Sequence, residues 1–204
     1  MAEHPTAPPA RPPGRCSLVV MGASAGAVEA LSAILPALPA GFALPILVVV
    51  HLPPDKRSAL PELFAAKSRL RVKEAEDKEP IEAGFVYFAP PNYHLLVERE
   101  GCLSLCGDEP VLYSRPSIDV LFESAADAFG GAVAGVVLTG GNSDGAKGLR
   151  AIQRAGGLAI VQDPETAEVP AMPAAALEQC PEARKTSLRD LAPLLQDLAR
   201  LTAG

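Results

Sequence analysis

The chain has 204 residues, 49% of them hydrophobic, and a formal net charge of -6. That is enough apolar material to close one sizeable core, and the length favours a single domain. The acid excess and the absence of a Lys/Arg cluster argue against a large footprint for nucleic acid or anionic lipid. The opening MAEHPTAPPARPPGR has no apolar h-region, and no later apolar run reaches the roughly 18 residues of a membrane span, so a cytoplasmic protein without membrane insertion is expected.

Residues 1 to 15 are dense in proline and alanine, which suits an extended, disordered tail and leaves residues 16 to 204 as the folded domain. Two continuous apolar runs, CSLVVM (16 to 21) and ILVVV (46 to 50), read as parallel strands buried on both faces. Between them AGAVEALSAILPALPAG puts Leu31, Ile34, Leu35 and Leu38 on one helix face, and Pro36, Pro39 and Gly41 end the helix. A second helix, about RSALPELFAAKS, leads to RVKEAE, and the charged run KEAEDKEPIEAG reads as a solvated turn. FVYFAP, YHLLVERE and CLSLCG then predict strands with at least one hairpin.

From Ser117 the alternation resumes: helix SIDVLFESAADAFG, strand AVAGVVLTG, helix GAKGLRAIQRAG, strand LAIVQD, a short helix near AMPAAALEQ and a last helix SLRDLAPLLQDLARL. The predicted fold class is α/β, doubly wound, with a mostly parallel sheet and an antiparallel hairpin insert. Cys16, Cys102, Cys106 and Cys180 have no C-x-x-C spacing, and in a strand Cys102 and Cys106 would stand about 13 Å apart, so free thiols are expected. The three histidines form no metal-type pair, and neither metal nor organic cofactor is expected.

In open parallel sheets, sites form at the carboxyl ends of the strands. Here the first strand ends in Gly22-Ala23-Ser24-Ala25-Gly26, the second in His51, and GVVLTG runs into GNSDG with Asp144. A serine hydroxyl needs an imidazole to take its proton, and a carboxylate fixes the imidazole tautomer and stabilises its charged form. The glycines permit a sharp strand-to-helix turn whose free N–H groups can face a developing oxyanion. Taken singly, Ser24 is equally an N-cap, His51 a packing residue and Asp144 a turn residue. His94 competes for the base role but falls in the hairpin region, and Asp163, ending LAIVQD, competes with Asp144 because sequence does not give the strand order.

A dinucleotide cradle is opposed by Val28 in place of a third glycine, and no Gly-Lys-Ser/Thr of a P-loop follows the first strand. The chain order Ser24, His51, Asp144 also departs from the Ser, Asp, His order of α/β-hydrolases.

Several stretches in order, GASAGAVEAL, VVVHLPPD, AGFVYFAPPNYHLLVE, RPSIDVLFESAADAFG, GVVLTGGNSDGAKGLRAIQRAGG and VQDPETAEVPAMPAAAL, carry a resemblance from Leu18 to about Leu177. The sequence resembles the catalytic domain of the CheB-type chemotaxis protein-glutamate methylesterases. The resemblance implies hydrolysis of glutamate γ-methyl esters on the cytoplasmic helices of methyl-accepting chemoreceptors, and deamidation of receptor glutamines. It implies Ser24 as nucleophile, His51 as general base and acid, and Asp144 as orienting carboxylate. Oxyanion and substrate contacts would fall on Ala25, Gly26, Gly141 and Arg115, with Asp163 to Pro173 bordering the cleft. A methylesterase-like binding module without turnover is the alternative, opposed by the intact Ser24, His51 and Asp144. Two departures concern loops: Ala27 replaces the second glycine of the usual Ser-x-Gly-Gly, and GGNS precedes Asp144 where relatives carry Met-Gly-Asn. A typical member also has a receiver domain ahead of its linker, so an activity not gated by phosphorylation in cis is the corresponding expectation, with control by a separate receiver protein in trans as the alternative.

Overall fold

The computed structural model describes residues 15–52 and 58–203. The expected proline-rich tail, apart from Arg15, lies outside the described residues. In chain order the elements are β1 (Leu18–Ala23), α1 (Ala27–Ile34), β2 (Ile46–Val50), α2 (Leu60–Ala65), β3 (Arg71–Glu74), β4 (Phe85–Phe88), β5 (His94–Val97), β6 (Leu103–Cys106), α3 (Ile118–Phe129), β7 (Val133–Val137), α4 (Ala146–Arg154), β8 (Leu158–Gln162), α5 (Ala171–Gln179), β9 (Arg184–Thr186) and α6 (Leu188–Ala203). None of these helices is long and apolar enough to cross a membrane.

Seven strands form one parallel sheet in the order β3-β4-β2-β1-β7-β8-β9. β1, β2 and β7 are fully buried because each is an unbroken apolar run with a helix layer on either face. Val19, Met21 and Ala23 join the cluster that holds Leu31 and Ile34 of α1, Phe64 of α2 and Leu191 and Leu195 of α6. Leu18 and Val20 join the opposite cluster, with Leu121 and Phe122 of α3, Leu149 of α4 and Met172 of α5. The sheet is doubly wound as expected. The strand order turns at β1, whose neighbours β2 and β7 lie before and after the hairpin in sequence.

The predicted strands and hairpin are present: FVYFAP joins the parallel sheet as β4, and β5 and β6 pair antiparallel, packed over α3. Two expectations need correction. The helix after β1 is α-helical only to Ile34; Leu35–Ala37 tighten into a 3₁₀ turn because Pro36 has no N–H to continue the ladder. Leu31, Ile34, Leu35 and Leu38 nonetheless all bury fully. The charged run after Arg71 is not merely solvated: Lys73 bonds Glu76 and Glu79, Asp77 accepts from the Leu105 N–H, and Ala75 is buried. It anchors the hairpin to the sheet edge. All four cysteines are free thiols.

Candidate active site

The ladder continues one residue beyond each central strand. His51 N–H donates to Ala23 O at 3.2 Å, Leu138 N–H to Gly22 O at 2.9 Å and Ser24 N–H to Thr139 O at 2.9 Å. Ser24, His51 and Thr139 therefore sit side by side at the carboxyl edge, where β1 meets both neighbours. The turn after Ser24 needs Gly26, which caps α1 at φ 81°; a Cβ there would also lie 2.9 Å from both Thr139 Cγ2 and Glu168 Cβ. Ala27, by contrast, is the first helical residue and buried, so the helix accommodates a side chain there.

Asp144 is wholly buried and fully engaged. Its Oδ2 lies 2.7 Å from His51 Nε2 and accepts the Ile118 N–H at 2.7 Å; its Oδ1 accepts the Asp119 N–H and the Ser117 hydroxyl, both at 2.9 Å. The carboxylate thus caps α3, where free N–H groups and the helix dipole favour negative charge. Burial pushes its pKa up, but hydrogen bonds from His51, Asp119 and Ile118 outweigh that and hold it below the usual carboxylate range. An ionised Asp144 can only accept, so His51 Nε2 carries the proton and Nδ1 keeps the free lone pair. The ring assignment is the reverse of that in the chymotrypsin-type triad.

A second aspartate mirrors the first. Asp119 is buried at the start of α3, and its Oδ1 accepts the N–H groups of Gly145 and Gly148 at the start of α4 at 2.9 and 2.7 Å. Each helix is capped by a carboxylate from the threshold of the other. Asp119 is only partly compensated: burial, reinforced by the Asp144 charge and opposed by the Gly148 hydrogen bond, leaves its pKa pushed up to about 6.

Thr139 is the other residue that sequence reasoning missed. Its hydroxyl donates to Ala25 O at 2.9 Å and accepts the Val169 N–H at 2.9 Å, and its own N–H donates to Gln162 Oε1 at 2.8 Å. It ties the Ser24–Gly26 turn to the segment after β8. No pattern of polarity announces it, because both partners on its hydroxyl are backbone groups of distant segments. A Ser-x-Asp step at a helix start was the one available signal for Ser117 and Asp119.

The structure brings His51 and Asp144 together and sets Ser24 beside them, but no hydrogen bond joins the Ser24 hydroxyl to His51. Asp163 faces away: it accepts from Glu165 N and pairs with Lys185 at 3.4 Å. His94 is structural, buried with Nδ1 accepting the Ser117 N–H and Nε2 donating to Glu109 O. The N–H groups of Ala25, Gly26 and Gly141 make no hydrogen bond among the described residues. Beside His51 opens a cleft of about 250 Å³, lined by Leu52, Asn92, Pro110, Tyr113, Ser114, Arg115 and Pro116. Arg115 is held by the carbonyls of Gly107 and Asp108 at 2.8 and 2.9 Å, while its buried Nε has no partner among the described residues.

A family model described as CheB methylesterase matches residues 19–195. A Leptospira interrogans protein is 46% identical over 176 residues, covering 86% of this chain and 91% of its own length. The protein-glutamate methylesterase/protein-glutamine glutaminase 2 of Anaeromyxobacter dehalogenans is 40% identical over 200 residues, covering 98% of this chain and 58% of its own length. This chain thus spans little more than half of that second relative. The crystal structure of the Thermotoga maritima CheB methylesterase catalytic domain superposes with a TM-score of 0.85 at 34% identity, over 90% of this chain and 98% of that one.

Proposed function

The chain belongs to the CheB methylesterase family, and we propose that it hydrolyses γ-methyl esters of glutamate on the cytoplasmic helices of chemoreceptors, with receptor glutamine amides as a second substrate. In this reading it works in the cytoplasm, where those helices lie. The observation that carries the chemistry is the 2.7 Å contact between His51 Nε2 and a buried, ionised Asp144. It fixes the tautomer and leaves Nδ1 as the base.

His51 Nδ1 takes the Ser24 proton as Oγ attacks the ester carbonyl, and the Asp144 carboxylate stabilises the imidazolium that forms. Substrate binding draws the hydroxyl within reach of the ring, since such bonds commonly tighten only in the complex. The uncommitted N–H groups of Ala25, Gly26 and Gly141 are the donors for the tetrahedral oxyanion, aided by the positive end of α1. His51 returns its proton to the departing methoxide, releasing methanol and leaving a glutamyl ester on Ser24. Water, deprotonated by the same imidazole, then frees the glutamate. Arg115, fixed by two carbonyls at the cleft wall, is suited to hold a carboxylate or carbonyl of the substrate segment.

Methanol release from a methylated receptor cytoplasmic fragment tests the reading. The wild-type protein should release methanol, and Ser24→Ala should release essentially none. Wild-type protein that leaves the methyl groups in place would sink it.

A further inference from the structure

The turn between Val111 and Ser114 breaks a local rule. Val111 and Ser114 exchange both backbone hydrogen bonds, N–H to O at 3.1 and 2.9 Å, which closes a two-residue hairpin. Its two central residues, Leu112 and Tyr113, stand at φ 48° and 64°. Such a turn favours Asn-Gly, and a bulky side chain at positive φ is strained. Neither side chain is repaid by burial: Leu112 is 42% exposed and Tyr113 102%. Asn92, at φ 66°, lines the same cleft as Tyr113, and its neighbour Tyr93 is exposed. Strain and exposed apolar surface coincide on one wall of the cleft that contains His51. Where folding rules are broken without a packing gain, function is the usual reason.

The helix after the Ser24 turn adds a further exposed apolar side chain. Val28, on the first turn of α1 directly after the Ser24–Gly26 turn, is exposed. Among the described residues five large hydrophobic side chains are exposed; four of them, Val28, Tyr93, Leu112 and Tyr113, flank the nucleophile turn or the His51 cleft. We infer that these four form an apolar collar that docks a helical segment of the protein substrate around the ester to be cleaved. This rests on the esterase reading above.

The chemistry of the substrate selects the occupant. Only Cβ and Cγ separate a glutamyl ester carbon from its backbone, so presenting that carbon to Ser24 brings the neighbouring turns of the carrier helix down onto the rim. Apolar residues one turn either side of the glutamate then meet the collar, as an amphipathic helix meets a groove. Rigid aromatic anchors such as Tyr93 and Tyr113 suit that role at little cost in side-chain entropy. A small free ester makes none of these contacts.

The test compares two substrates, a methylated receptor cytoplasmic fragment and an N-acetylated, amidated glutamate γ-methyl ester. The double variant Leu112→Asn with Tyr113→Gly installs the residues that the turn prefers, so its melting temperature should equal or exceed that of the wild type. Its kcat/KM on the protein substrate, divided by that on the small ester, should fall at least tenfold, mostly through KM. Val28→Ser, beside the Ser24 turn, should lower the same ratio several-fold. An unchanged ratio, or parallel losses on both substrates, would overturn the collar. So would a concentration-dependent dimer that the double variant abolishes, because a second copy would then be the occupant. A wild-type protein inert toward the protein ester while Ser24 stays reactive to a fluorophosphonate would instead overturn the esterase reading, and the collar with it.

Discussion

Asp144 and Ser24 stand at the ends of adjacent strands in opposite surroundings. The carboxylate is sealed between two helix starts, with all of its near donors supplied by the fold. The serine is half-buried on a glycine turn, with neighbouring N–H groups uncommitted and strained, apolar residues beyond the His51 cleft. One end of the site is finished by folding and the other is left open for a substrate to complete. In the proposed reaction, a charge that must stay fixed belongs in the first kind of setting, and a nucleophile that must meet a new partner belongs in the second.

The largest effects should come from cutting each end. Ser24→Ala should lower turnover by about 10³-fold or more, and Asp144→Asn by about 10³ to 10⁴-fold through loss of the correct His51 tautomer, as in other triads. The two ends should part in stability: denaturant unfolding should show Ser24→Ala near wild type, while Asp144→Ala, which strands the donors of Ser117, Ile118 and Asp119, should lose about 3 kcal/mol. Asp163→Asn, breaking only a partly exposed pair with Lys185, should leave turnover within a few-fold. A larger loss from Asp163→Asn than from Asp144→Asn would reverse the comparison.

Next in size is the helix that carries the turn. Leu31 is fully buried against the sheet and Val28 is exposed on the same helix. Leu31→Ala should cost about 2–5 kcal/mol by opening a cavity, and Val28→Ala within about 0.5 kcal/mol. Chemical denaturation of the two variants separates a packing face from a docking face.

The smallest effect sharpens the contrast between the two buried aspartates. Asp144 has a depressed pKa, so its contribution to stability is complete above its ordinary value of 3.8 and is lost as pH falls below it. Asp119, raised from 3.8 to about 6, behaves in reverse: the folded state holds its proton more tightly, so stability declines as pH rises through that window. Asp119→Asn keeps an acceptor for Gly145 and Gly148 without the charge. Relative to wild type it should therefore gain about 1–3 kcal/mol between pH 4 and pH 7.5, read from urea midpoints at both pH values. A constant difference across that range would mean that Asp119 does not titrate there.

The sequence disclosed those parts of the fold whose physics is local. β2 was bounded at Ile46–Val50 because five apolar residues lie between a proline and a histidine, and α5 at Ala171–Gln179. β9 was missed because Arg184–Thr186 is polar and pairs only at the sheet edge. The choice between Asp144 and Asp163 depended on strand order, which no local pattern encodes: β7 lies next to β1, and β8 is one strand further from His51. Asp119, Thr139 and the Leu112–Tyr113 turn stayed hidden for a related reason. Their significance lies in backbone groups and φ values brought together from distant segments.

The most direct measurement is mass-spectrometric mapping of a fluorophosphonate adduct, taken alongside methanol release as the label accumulates. A single adduct on the peptide bearing Ser24, with activity falling in proportion to labelling, is the predicted result. Full labelling of Ser24 with methanol release undiminished, or an inactivating adduct on another residue, would contradict the assignment of Ser24 as the nucleophile.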